Sequence, residues 1–133
     1  MSWEPREVEI AAVLRLDREA RYRHAIKRMA DTEQLWTLRS AEGFVMGEAA
    51  NGTLYVPVWP HARYAQLCAV GDSEGCEPEP IPLEEWMELW TPGLRRDGRS
   101  VAVFPAPGEM RVLLAQPDRF AADLAEECEQ YEL

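Results

Sequence analysis

The chain has 133 residues, of which 47% are hydrophobic and five are tryptophan, and it carries a formal net charge of −10. That length fits one domain, and the hydrophobic share excludes a disordered chain. The apolar runs are too short to cross a membrane, and the acid excess repels phosphate backbones, so nonspecific nucleic-acid binding is disfavoured.

The charge is unevenly placed. Residues 1–33 hold seven acids and seven bases, whereas residues 34–133 hold seventeen acids and seven bases. Between Asp72 and Glu88 there are seven acids and no base. Such a stretch attracts a basic protein partner, or it keeps a small acidic protein soluble. The opening MSWEPREVEI has acids and no apolar signal core, which points to the cytoplasm. Three cysteines, an odd number, then read as free thiols in a reducing compartment.

Taken in chain order, the pattern predicts a first helix over 5–16, with Pro5 near its start and Ile10, Val13 and Leu14 inward. Asp17 is an N-cap for a second helix to about Asp31. Its inward side is Tyr22, Ala25, Ile26 and Met29, and its outward side is basic through Arg18, Arg21 and Arg28. The period then changes. QLWTLR and FVMGEA read as strands joined by SAEG, and Asn51-Gly52 marks a hairpin leading into TLYVPVW. Residues 34–59 therefore read as a three-stranded antiparallel meander. Pro57 cannot donate to a ladder, so the third strand is expected to be an edge there, or bulged.

A short helix follows from His61 to about Val70, then a loop over 71–82 rich in acids and turn formers. Leu83 opens another helix with Leu83, Trp86, Met87 and Trp90 on one face. It is expected to stop at Thr91-Pro92-Gly93, because proline disfavours helical geometry in the residue before it. SVAVFPAP and MRVLLAQ form a second hairpin. Pro117-Asp118 starts a last helix with Phe120, Leu124, Cys128 and Tyr131 on its apolar side. The order is ααβββααββα. With strands grouped in hairpins, the class is α+β: one domain over 1–133, with helices packed on an antiparallel sheet of about five strands.

Three phrases carry a resemblance: YVPVWPHARYAQLC, EPIPLEEWMELWTPGLRRDGRSVAVFPAP and the acidic LAEECEQYEL. They resemble a small bacterial family of unknown function, DUF2750, over nearly the whole chain. The layout is also similar, less extensively, to the N-terminal domain of the SseB-like (serine-sensitivity-enhancing) proteins. The resemblance implies a fold and its boundaries, and brings no activity, cofactor or catalytic residue with it.

The residues themselves offer a few candidates. His61 follows Pro60 at a helix start, where the helix end disfavours added positive charge. A neutral imidazole there can accept a proton or bond a ligand, or it can merely begin the helix. Trp36, Trp59, Trp86 and Trp90 can line a pocket, although aromatics at strand or helix period are usually core. Cys68, Cys76, Cys128 and His61 lack the spacing of a metal site, and no cofactor is expected. Glu84, Glu85 and Glu88 read as an ordinary acid-rich helix start, and Gly-rich phosphate loops and nucleophile elbows are absent.

Three readings follow, with enzymatic activity not favoured. In the first, a protein-binding module presents Glu77, Glu79 and Glu85, beside the edge formed by Tyr55, Trp59 and His61, to a basic protein. In the second, His61 works in an aromatic-lined cleft on a small ligand or in hydrolysis. In the third, a homo-oligomer docks the basic side of the second helix on an acidic surface, unless those arginines pair within the chain.

Overall fold

The computed structural model describes residues 3–109 and 111–130, without the side chain of Asp72. Tyr131 of the expected apolar face and Met110 of the expected second hairpin lie outside those residues. Helix α1 (Glu7–Leu14) buries Ile10 and Val13. In α2 (Arg18–Thr32) the Asp17 carboxylate accepts from the Ala20 N–H at 2.8 Å, as its N-cap role requires. Ala25, Ile26 and Met29 are buried as the helical spacing predicts, and Tyr22 is half-buried.

Arg21 is the first correction. It was expected on the outward basic side, yet it is only 4% exposed. Its guanidinium donates to the carbonyls of Leu16 and Phe104 and pairs with Glu109. A buried cation is tolerated only when its donors are matched. Here they fasten the 104–109 turn to α2. Arg28 is also engaged within the chain, with Glu9 at 3.5 Å. Two of the three arginines proposed for docking another subunit are thus engaged internally.

The strands are shorter and more numerous than expected. β1 (Gln34–Ser40) pairs with β2 (Gly43–Phe44) in a hairpin, and β3 (Gly47–Glu48) pairs with β4 (Leu54–Val58). The predicted FVMGEA strand is broken between β2 and β3, where Val45 and Met46 turn in to pack on the core. Its two halves serve different ladders. One ladder runs β2-β1-β5 (Glu77–Pro82) and the other β3-β4-β6-β7, with β6 at Ser100–Val103 and β7 at Leu114–Ala115. An antiparallel bridge joins them: Trp36 and Trp59 exchange both backbone bonds, at 2.8 and 2.9 Å. β4 lies parallel to β6 (Ser100–Val103), a departure from the all-antiparallel expectation. The long helical connection between them makes a parallel return possible. β6 pairs antiparallel with β7 (Leu114–Ala115), which is the expected second hairpin.

Pro57 sits where β3 has ended and the Trp36 bridge has not begun. The N–H and C=O of Trp59 face Trp36, so the nitrogen of Pro57, two residues earlier, falls on the same side. No ladder there needs its missing donor, and its carbonyl accepts the Thr37 hydroxyl at 2.7 Å. Gly47 faces the Tyr55 ring so closely that a Cβ would lie 2.3 Å from it.

The supposed loop 71–82 contains β5 (Glu77–Pro82), which pairs along the whole of β1. Trp36 and Leu38 direct their backbone groups to the other side of β1, so Leu35, Thr37 and Arg39 bond β5. Their opposite residues are Ile81, Glu79 and Glu77, all of which have an N–H. The outward nitrogens belong to Pro78, Pro80 and Pro82. Every proline of EPEPIP occupies a position where no donor is wanted. The prolines that read as loop punctuation instead blunt an edge strand.

The next helix does not stop at Pro92. α4 (Leu83–Glu85) passes into a wide π-helical turn (Trp86–Trp90) and on into α5 (Thr91–Arg96) without a break. The wide turn lets the Thr91 N–H reach back five residues to Trp86, whose carbonyl also takes the Thr91 hydroxyl at 3.0 Å. Pro92 then falls in the first turn of α5, where its N–H is not needed. Trp86 is fully buried against Phe120 of α6 (Pro117–Glu129), and Trp90 stacks on it at 5.4 Å.

One contiguous core links α1, α2, both ladders and the helices. Phe104 sits in that core with φ of 56°, a conformation costing a bulky residue of order 1–3 kcal/mol. Its ring is fully buried, 4.8 Å from Tyr64, and such burial stabilises by about 1.5–3 kcal/mol. The Arg21 bond to its carbonyl adds to that, so the strain is offset. No helix among the described residues is long and apolar enough to cross a membrane.

Candidate ligand-binding cleft

The stretch VWPH links the core to a cleft. Trp59 is 2% exposed, and its indole N–H donates to the Pro105 carbonyl at 2.9 Å, so it anchors the core. Pro60 then swings the chain away, and His61 caps α3 (Ala62–Leu67). Its Nδ1 accepts the Arg63 backbone N–H at 3.0 Å. With that lone pair engaged, the ring proton resides on Nε2, which lies 3.0 Å from Glu4 Oε1. Both ring nitrogens are committed. His61 is therefore a donor and a positioning group in this arrangement, without a free lone pair to take a proton from a substrate.

Around His61 lies a cleft of about 450 Å³ lined by Trp3, Glu4, Gln34, Trp36, Pro60 and neighbouring residues. Trp3 stands edge-on to the His61 ring at 5.3 Å, and Trp36 lies 6.1 Å away. The Arg28 guanidinium sits 4.4 Å above the Trp3 ring. The indole nitrogens of Trp3 and Trp36 are sealed from solvent. The cleft therefore offers indole carbon surface, the polar side chains of Thr32 and Gln34, and the Glu4 carboxylate, whose side chain is 70% exposed. The segment bearing Trp3 and Glu4 is tied down in three places: Glu4 to His61, Glu7 to Arg63 at 2.6 Å, and Glu9 to Arg28.

Beneath the cleft the aromatic cluster continues through Tyr64, His24 and Phe104. Burial pushes the Tyr64 hydroxyl up to about 12. His24 is held below its ordinary value, chiefly by burial and then by the nearby Arg28 charge. Cys68 donates its thiol to the Pro105 carbonyl at 3.4 Å, and burial pushes it up to about 11. A thiol so far from ionising at neutral pH is not a nucleophile. Among the described residues no group of three or more His, Cys, Asp and Glu side chains is placed to hold a metal ion.

The six residues singled out in the sequence do not converge on one point. His61 is in the cleft, Trp59 is behind it in the core, and Tyr55 is folded over Gly47. Glu77 and Glu79 border a separate hollow of about 440 Å³ with Arg39 and Ser40. Glu85 is exposed and accepts the Trp90 indole N–H at 3.3 Å. Trp3 and Glu4 were missed. No periodicity marks them, and their partners His61 and Arg28 are distant in sequence. Trp3, two residues before the predicted first helix, was the one available sign.

The ion pairs are distributed unevenly. Arg21, Arg28, Arg63, Arg95, Arg96 and Arg119 pair with Glu109, Glu9, Glu7, Asp118, Asp97 and Asp123. None of the acids Glu74, Glu77, Glu79, Glu84, Glu85 and Glu88 forms an ion pair among the described residues.

Fold and cleft together define a small α+β domain with an aromatic-walled cleft and, separately, an acidic stretch that forms no ion pair among the described residues. The family described as "Protein of unknown function (DUF2750)" matches residues 22–124, and the chain belongs to that family. Trp36, His61 and the acidic stretch fall within the match, whereas Trp3 and Glu4 precede it. The SseB-like similarity finds no support in this match. No curated protein matches the chain.

Proposed function

We propose that this protein is a non-catalytic binding module for a basic protein partner. The observation that carries the reading is the unpaired acidic stretch. The six arginines named above are consumed by acids elsewhere, leaving Glu74 to Glu88, from the turn before β5 through α4 into the π-helical turn, with no ion pair among the described residues and Arg39, opposite Glu77, as the base bordering them. Complementary charge steers association and fixes partner choice. The proline-blocked edge of β5 lacks outward donors, so recruitment proceeds through side chains and not by adding a strand. The committed nitrogens of His61 weigh against hydrolysis and leave its cleft as a place to bind. We place the protein in the cytoplasm, on its odd count of three cysteines.

The test is calorimetric titration with an octalysine peptide at low and high ionic strength. Binding is expected at low salt. At about 1 M salt, where the screening length falls to about 3 Å, it is expected to be lost. Reversal of Glu77, Glu79 and Glu85 to lysine should abolish it at any salt. Binding unchanged by that reversal would overturn the proposal.

A further inference from the structure

We infer that the cleft between Trp3, Trp36 and Glu4 receives the ammonium end of a lysine side chain from that partner, a deepening that rests on the reading above. The space, about 450 Å³, lies in the ordinary range for ligand pockets, roughly 300–1,000 Å³, and exceeds one lysine side chain. Two of its walls are the indoles of Trp3 and Trp36, whose faces attract cations, and Thr32, Gln34, Pro60, His61 and Ala62 complete the lining. The chain already shows this chemistry at the same ring, with Arg28 over Trp3. The one charged group lining the cleft is Glu4, and the net charge of −10 attracts a cation and repels an anion.

The geometry also selects among cations. Glu4 Oε1 lies 3.0 Å from His61 Nε2, leaving Oε2 as the less encumbered oxygen. A guanidinium gains most from a carboxylate through two parallel bonds, which take both oxygens. An ammonium is a compact point charge satisfied by one. His61 is the positioning residue, fixing the carboxylate at the mouth while its other nitrogen caps α3.

The experiment follows the tryptophan indole resonances by NMR during titration with Nα-acetyl-lysine methylamide. The norleucine and arginine analogues serve as comparisons. The lysine compound should shift the Trp3 and Trp36 signals at millimolar concentration, the arginine compound should bind more weakly, and the uncharged norleucine compound should leave them in place. Glu4→Gln, at an exposed position, should weaken binding about two- to fivefold, in keeping with a solvent-exposed ion pair. His61→Asn retains a capping acceptor for α3 and should weaken it comparably. Equal binding of norleucine, arginine binding at least as tight as lysine, no response to lysine, or indifference to Glu4→Gln would overturn the inference. If octalysine binding is lost on reversing Glu77, Glu79 and Glu85 but is untouched by Glu4→Gln, the acidic stretch stands and the lysine pocket falls.

Discussion

Arg21 shows how much a single side chain can organise. Its side chain is 5% exposed, and it serves Leu16, Phe104 and Glu109 at once. Arg21→Ala would leave the Glu109 carboxylate, 17% exposed, without its cation, and would release the strained Phe104. Removing one partner of a buried pair costs about 3–5 kcal/mol, so a urea midpoint should fall steeply. Arg21→Met with Glu109→Gln should recover part of that loss, because no charge remains stranded. His24 supplies a pH signature. Burial first, then Arg28 and Lys27, hold it below 6.5, with Glu9 opposing. As pH falls through about 6.5 the unfolded chain takes up the proton before the folded one does. Stability present above that pH is therefore lost between it and the lower folded value. Denaturation midpoints measured at about pH 8 and about pH 5.5 should diverge less in His24→Gln than in the wild type. An equal divergence would show that His24 is not the sensing group.

At the level of the element, β5 is the informative case. Restoring an outward N–H with Pro80→Ala opens the edge to pairing between chains. Self-association should rise on light scattering at concentrations where the wild type is unchanged. An unaltered size distribution would show that the prolines do not guard the edge. The same strand shows where sequence reading fails. In EPEPIP each proline suggests a turn, and only the identity of the neighbour, β1 on one side and solvent on the other, reveals a strand. Pro92 misleads in a related way. Proline ends a helix of regular pitch, but a wide turn before it shifts the phase until it starts the next one. Where local chemistry decides, the sequence was readable: Asp17 caps α2, Asn51-Gly52 turns the β3–β4 hairpin, and Phe120 and Leu124 line α6. His61 and Trp36 of the cleft could be anticipated as site candidates. Its opposite wall could not, because Trp3 and Glu4 meet them only through tertiary packing. The burial of Arg21 was hidden for the same reason, since Glu109 lies 88 residues away.

Across the whole molecule the decisive feature is charge asymmetry. The first 33 residues are neutral, and their ion pairs fasten Glu4, Glu7 and Glu9 onto the fold. The acid excess is left to the rest, with the acids before and within β5 and α4 forming no ion pair among the described residues. If this placement is what selects a basic partner, position must matter beyond total charge. The direct measurement compares octalysine affinity, at one low ionic strength, for two variants of equal net charge. One reverses Glu77, Glu79 and Glu85 to lysine, and the other reverses the exposed Glu19, Glu126 and Glu129. The first is expected to lose binding while the second keeps most of it. Equal weakening of the two would reduce the interaction to bulk electrostatics and contradict the account.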